Sequence, residues 1–130
     1  TEEAYASDSQ ILYFPAGLCS RKQKGVICDL EWHKNFISKA VRHKRDIIPA
    51  FISGRNSDFF YRLANIRKFL RIKANIEMLY LADEMFRQKD KKIDLVFGEK
   101  IGWETFDRSR KPEEWAQWVR EKCYSLELKK

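Results

Sequence analysis

The chain has 130 residues, 44% apolar and 35% charged, with eighteen aromatic side chains and a formal net charge of +7. That composition excludes a disordered tail and fits one folded domain with one core. No apolar run approaches the ~20 residues that cross a bilayer, so a spanning helix is excluded as well. The charge is uneven: residues 20–75 hold fourteen Lys or Arg against four Asp or Glu, whereas residues 76–130 hold twelve of each. One part of the chain therefore directs a positive field at an acidic partner, which leaves phosphate, nucleic acid or an anionic membrane surface as candidates.

In chain order, TEEAYASDSQ is a polar, acidic leader without a signal-peptide pattern, and a start without Met points to an excised piece or a processed terminus. Ile11–Phe14 is an apolar run of strand formers, broken by Pro15, Ala16 and Gly17. The loop that follows runs to Cys28 and contains RKQKG, read as a solvated, mobile turn. A strand that ends in a Pro/Gly turn and then presents a hydroxyl and a guanidinium is a way to build an anion site. Gly17 opens the backbone to a ligand, and Ser20 and Arg21 supply donors that suit phosphate. The plainer alternative is a strand end with a solvated arginine.

Asp29 is placed to cap a helix over about residues 30–43, whose apolar face is Leu30, Phe36, Ile37, Ala40 and Val41. Ile47–Ile52 is the second predicted strand; Pro49 within it lacks an N–H and puts it at an edge or a bulge. Strand, helix, strand predicts a right-handed βαβ unit with two parallel strands. Ligands of such sheets lie beyond the carboxyl ends, which would gather Ser20, Arg21, Arg55 and Asn56. Ser57 is a cap for a third element with Phe59, Leu63, Ile66 and Leu70 on one face and Arg62, Arg67, Lys68 and Arg71 around it. In the triplet Phe59, Phe60, Tyr61, either two rings fill the core and one lies on the surface, or the triplet sits at a membrane interface. A helix over 76–88, capped by Asn75, would bury Met78, Leu81, Ala82 and Met85, leaving Asp83 and Glu84 solvated or paired with Arg87. Ile93–Phe97 is a third strand. A last helix begins near Pro112 and docks Trp115, Trp118, Val119 and Leu126.

Several chemistries are missing from the pattern. The three cysteines Cys19, Cys28 and Cys123 form no disulfide framework and read as reduced thiols of a cytosolic compartment. Cys19, Cys28, His33 and His43 have no common zinc spacing, so no metal is expected. There is no Gly-x-Ser-x-Gly elbow and no phosphate-binding Walker loop.

FPAGLCSR, residues 14–21, resembles the third conserved block of the glycerolipid acyltransferases of the lysophosphatidate type, F-P-E-G-T-R-S. Phe14, Pro15, Gly17 and Ser20 match it; Ala16, Leu18 and Cys19 depart from it, and Arg21 stands two places after the position of the family arginine, which Cys19 occupies. DIIPAFISGRN (46–56) and VFGEKI (96–101) are similar to the segments that follow, and GRNSDFFYRLANIRKFLRIKANIEMLYLADEMF looks like a bacterial sub-branch, some of whose members are labelled hemolysin. The resemblance implies a C-terminal half. The family base is a His followed five residues later by Asp, whereas His33 is followed there by Ser38 and His43 by Ile48. No catalytic residue is therefore assigned to this chain, and the base block would lie before residue 1.

These readings combine into one expectation. The fold is a three-layer α/β fragment, a small mostly parallel sheet of at least three strands flanked by about four helices, in a single domain over 1–130. The function is the acceptor- and phosphate-binding half of a membrane-associated acyltransferase, with Phe14, Pro15, Gly17, Ser20, Arg21 and Arg55 in the binding site. It would use no cofactor of its own, and acyl-CoA or acyl-carrier protein would be the donor. Its partners would be an anionic lipid or lyso-lipid acceptor and the inner face of the cell membrane, with a homo-oligomer of the fragment possible and no nucleic acid. The second reading is a nucleic-acid-binding module using Arg42, Lys44, Arg45, Arg67, Lys68 and Arg71 on phosphates. A hemolysin-like membrane-active protein ranks third.

Overall fold

The computed structural model describes residues 2–127. In chain order the elements are α1 (Glu2–Ala6), β1 (Arg21–Gln23), β2 (Val26–Cys28), α2 (Asn35–Arg42), β3 (Ala50–Ile52), α3 (Asp58–Phe69), a 3₁₀ helix (Ile76–Tyr80), α4 (Leu81–Arg87), β4 (Leu95–Phe97), a second 3₁₀ turn (Trp103–Thr105) and α5 (Pro112–Ser125). The chain forms two compact units. One comprises the residues up to Cys19, Asp29–Ile52 and those from Leu95 on; the other comprises Ser20–Cys28 and Ser53–Asp94.

The first unit is organised on α5. Pro112 opens the helix, where its missing N–H is not needed, and the Glu114 carboxylate accepts the Lys111 N–H at 2.7 Å. Trp115, Val119 and Cys123 recur every four residues beside Ala116, and this stripe packs with Phe36, Ile37 and Phe106 into the core. Helix α2 is shorter than the spacing predicts. Asp29 does not cap it: its N–H donates to the Tyr124 hydroxyl at 2.9 Å, and its carboxylate accepts the Trp32 indole N–H at 3.1 Å. The first bond ties the segment to α5, the second folds it on itself, and the helix begins only at Asn35.

The sheet differs from expectation. Strand β3 pairs with β4 in antiparallel register, Ala50 with Phe97, Phe51 with Val96 and Ile52 with Leu95. Ile47 and Ile101 form an isolated bridge nearby, and the Gly98 N–H reaches the Pro49 carbonyl at 2.8 Å. Pro49 has no N–H to give, which interrupts the ladder between bridge and strand. Gly98 is required here for space: a Cβ would lie 3.0 Å from Pro49 Cγ and 3.1 Å from Leu126 Cδ1. Ile11–Phe14 forms no strand. Four strand formers make a strand only where another edge offers its N–H and C=O groups, and β3 and β4 take each other. The predicted parallel βαβ unit and the three-stranded, mostly parallel sheet are therefore overturned. Among the described residues there are two two-stranded antiparallel sheets and five α-helices.

The second unit begins with the β1–β2 hairpin, where a mobile turn was expected. Gln23 pairs with Val26 across a two-residue loop, and Lys24 and Gly25 both have positive φ, 48° and 84°. That is the primed turn whose twist suits paired strands. Helix α3 starts as predicted: the Ser57 hydroxyl accepts the Phe60 N–H at 3.3 Å. Phe60 and Tyr61 are buried and Phe59 is half exposed with its edge against Tyr80, so two rings of the triplet fill the core and one lies on the surface. The predicted helix over 76–88 divides into the 3₁₀ helix and α4; Met78 and Leu81 of its predicted apolar face are half-buried, Asp83 is exposed, and Glu84 lies 4.0 Å from Arg87, yet two acids take the most buried positions. Glu77 and Glu84 are its buried residues, at 0% and 2% exposure, while Met85 and Ala82 face outward. Electrostatics outweighs apolar periodicity here. The second unit carries thirteen Lys or Arg against six Asp or Glu, and its buried carboxylates meet cations and a helix cap.

Candidate functional site

The predicted site residues fall in both units. Phe14, Pro15 and Gly17 belong to the first. Phe14–Gly17 is a tight turn in which the Gly17 N–H donates to the Phe14 carbonyl at 3.1 Å. Pro15 presets φ at the turn's second residue, and Gly17 takes φ +67°. No atom lies within 4 Å of a Cβ built on Gly17, so backbone conformation alone calls for glycine. Ala16 is buried, Tyr13 packs on Phe36, and the His33 N–H donates to the Pro15 carbonyl at 3.1 Å. The turn is thus clamped from one side, while Phe14 and Gly17 stay exposed and reachable.

Ser20, Arg21 and Arg55 belong to the second unit. Ser20 is half-buried beside the start of β1. Arg21 is 8% exposed, and its Nη2 donates to Glu77 Oε1 at 2.7 Å. Glu77 is enclosed completely, and Arg67 Nε lies 2.9 Å from its other oxygen. The Phe60 ring lies 5.7 Å from the Arg21 guanidinium. Arg67 is itself anchored, donating through Nη1 to the Ile72 carbonyl at 3.0 Å. The result is one buried carboxylate between two guanidinium groups.

Arg55 answers to a different carboxylate. It is exposed and reaches Asp58 Oδ1 at 2.5 Å, which Lys22 also approaches at 3.7 Å. Asn56 donates its N–H to the Tyr61 hydroxyl at 3.1 Å. The expected gathering of Ser20, Arg21, Arg55 and Asn56 rested on parallel strands, and that premise fails.

Glu77 and Glu84 were not singled out as site or core residues from the sequence, and Arg67 was named as a site residue only for phosphate contact in the nucleic-acid reading. Glu84 accepts from both the N–H and the hydroxyl of Ser57, each at 2.5 Å. One signal was present: Glu77 and Glu84 are seven residues apart, a spacing that puts two acids on one helical face within a strongly basic region.

The histidines do not form the family's base pair. His43 stacks on Tyr5 and lies 2.9 Å from Glu2, a carboxylate that also pairs with Lys39. Burial, and then the nearby Arg42, Lys39 and Arg45, hold the His43 pKa below its ordinary 6.5. Several cations invoked for nucleic acid already have protein partners. Arg45 donates to the Tyr5, Ser7 and Ser9 carbonyls, Arg67 is held as described, and Lys44 lies 5.9 Å from the Trp103 ring centre. Among the described residues no group of three or more His, Cys, Asp or Glu is placed to hold a metal ion, and no helix is long and apolar enough to cross a membrane.

Comparison with known proteins gives the family. A family model described as acyltransferase matches residues 1–129. The chain is 55% identical over 125 residues to a lyso-glycine lipid O-acyltransferase of Bacteroides thetaiotaomicron, covering 96% of this chain and 46% of that one. It is 54% identical over 125 residues to a lyso-glycine lipid O-acyltransferase of Phocaeicola vulgatus, covering 96% of this chain and 45% of that one. Neither name mentions hemolysin or lysophosphatidate. No solved structure matches. The chain spans about half the length of these curated relatives. With a family model matched over residues 1–129, the chain belongs to the acyltransferase family.

Proposed function

We propose that this chain is the acceptor-binding half of an enzyme that moves an acyl group from a thioester, on acyl-carrier protein or acyl-CoA, to the hydroxyl of a lyso-lipid. The observation that carries this is 55% identity to a lyso-glycine lipid O-acyltransferase across 96% of the chain. In such a transfer the acceptor oxygen attacks the thioester carbonyl, the C–S bond breaks, and the hydroxyl proton ends on the departing thiol. The chain offers no His with an Asp five residues on, so the proton acceptor would come from the rest of the enzyme.

The role left to this half is to hold the acceptor. A glycine head group ends in a carboxylate where a lysophosphatidate carries phosphate, and a guanidinium fork suits either. Arg21 is the proposed head-group contact within the second unit, with Ser20 beside it and Arg55 as the rival cation; Phe14, Pro15 and Gly17 are proposed as a binding turn of the first unit. The second unit would face the membrane. It holds thirteen Lys or Arg against six Asp or Glu, which accounts for the whole +7 of the chain. It also exposes Phe69, Leu79, Met85 and Phe86. Positive charge with exposed aromatic and aliphatic side chains suits the interface of an anionic bilayer.

The test uses the purified full-length protein with an acyl thioester and either lyso-glycine lipid or lysophosphatidate. O-acylation of the glycine lipid is the expected result, and residues 1–130 alone should transfer nothing. Transfer to neither acceptor, or transfer by residues 1–130 alone that His33→Ala abolishes, would refute the assignment.

A further inference from the structure

We infer that the outer edge of β4, with the open face of the β3–β4 sheet, receives a β-strand from the part of the enzyme that lies outside this chain. The surface belongs to the first unit and is independent of the proposed head-group contact.

The ladder shows which backbone groups are in use. The Gly98 N–H donates to the Pro49 carbonyl at 2.8 Å, and two residues further along the register Phe51 stands opposite Val96. Bonded and non-bonded positions alternate in an antiparallel pair. Val96 therefore turns its N–H and C=O towards β3, while Leu95 and Phe97 turn theirs away. Among the described residues no third strand pairs with β4, and no hydrogen bond meets Leu95 or Phe97 on that side. The other edge is different: α5 lies against β3, and the Cys123 thiol makes a hydrogen bond with the Ala50 backbone.

The side chains divide in the same way. Phe51 and Val96 share one face and are half-buried, and the Phe51 ring meets Tyr124 of α5 edge-on. Ile52, Leu95 and Phe97 share the opposite face and are 49%, 52% and 65% exposed. A row of large apolar side chains beside a row of unpaired backbone groups is an edge that folded proteins ordinarily cover.

The chemistry of this surface chooses its occupant. Lipid offers apolar contact but nothing to pair with N–H and C=O, so a bilayer would leave the edge unsatisfied. The first unit has thirteen cationic and thirteen anionic residues, so no net field draws it to an anionic surface. A strand meets both needs: its main chain pairs with the edge, and its alternate side chains cover the face. The curated relatives have the chain to supply one, since the matched stretch makes up 46% and 45% of their lengths. A strand in the same polypeptide also reaches the edge at a high effective concentration, which a second copy does not.

The test is amide hydrogen exchange, resolved to single residues, on the purified full-length protein. The Leu95 and Phe97 amides should exchange within about tenfold of the Val96 amide, because all three then lie in ladders. Exchange of Leu95 and Phe97 at the rate of an unstructured peptide, with Val96 protected, overturns the inference. Protection that disappears on dilution to the monomer would give the edge to a second copy, and protection that requires phosphatidylglycerol vesicles would give the face to a membrane; either result overturns it too. Proline reads the same edge by another route. Leu95→Pro and Leu95→Ala both remove the leucine side chain, but only proline removes the outward N–H while leaving the bonds to β3 in place. In the full-length protein the urea midpoint of Leu95→Pro should lie below that of Leu95→Ala, and equal midpoints would mean that no strand occupies the edge.

Discussion

Two residues of the same type make the sharpest contrast at the residue scale. Arg21 is buried against Glu77, and Arg55 lies exposed on Asp58. A charge-assisted contact to a ligand anion contributes roughly 1.5–3 kcal/mol. Arg21→Ala in the full-length protein is therefore expected to lower kcat/KM for the acceptor about ten- to a hundredfold. Arg21→Lys should recover only part, since an ammonium keeps the charge and loses the fork. An acceptor defect in Arg55→Ala with a normal Arg21→Ala protein would move the site to the other loop. The thiols give a second prediction. Cys123 is 6% exposed, and burial raises its pKa despite a backbone hydrogen bond at Ala50. Only a thiolate alkylates, so at pH 8 iodoacetamide should modify the half-buried Cys19 and Cys28 well before Cys123. Equal rates by peptide mass mapping would show that this core opens readily.

At the scale of elements, α3 depends on the residue that caps it. Ser57 Oγ accepts the Phe60 N–H, while its own hydroxyl and N–H satisfy the Glu84 carboxylate. Ser57→Ala removes the cap and strips one bond from a carboxylate that is 2% exposed. The expected loss is about 1–3 kcal/mol, read as a lower urea midpoint; an unchanged midpoint would mean that water replaces the hydroxyl. In the first unit, Asp46 joins the end of α2 to the Trp103–Thr105 turn. Its oxygens lie 3.1 Å from Lys100 Nζ and 3.1 Å from the Trp103 N–H, and in that order these bonds lower its pKa below 3.8. A carboxyl with a depressed folded pKa stabilises the native state above its unfolded pKa, and the contribution is lost as pH falls through the depressed value. Asp46→Asn should therefore lower the urea midpoint at pH 7 and lower it less in acid, as the pH falls through that depressed value. An equal effect in acid would trace it to shape, not charge.

For the whole molecule, charge is the feature that separates the two units. The first holds thirteen cationic and thirteen anionic residues, and the second holds the full excess of seven positive charges. Phe69 is 86% exposed and Phe86 72%. Sedimentation with phosphatidylglycerol vesicles should therefore show binding that weakens as salt rises, because exposed charges are screened over about 10 Å at 0.1 M. Phe69→Glu with Phe86→Glu should weaken it further, whereas neutral phosphatidylcholine vesicles should bind little. Binding that ignores salt and both substitutions would mean that neither this charge nor these side chains carry the attachment.

Local chemistry is legible in the order of the residues. Ser57 before a periodic run marks the start of α3, and Pro112 followed by two glutamates marks α5. Ala50–Ile52 and Leu95–Phe97 lie inside runs of strand formers, and the acyltransferase resemblance lies in FPAGLCSR and the segments after it. These signals depend on neighbours in sequence, through caps, φ restraints and side-chain shape. Pairing is not legible in the same way. Whether Ile11–Phe14 becomes a strand depends on a free edge elsewhere, and the direction of β3 against β4 depends on contacts 43 to 47 residues apart. The hairpin at Lys24 and Gly25 is local but concealed, since a run of cations reads as a solvated loop until both residues are seen at positive φ. The Arg21–Glu77 contact spans 56 residues, and the desolvation that gives it its strength exists only once the second unit closes over it. Sequence alone could name the arginine; only the tertiary structure could supply its carboxylate.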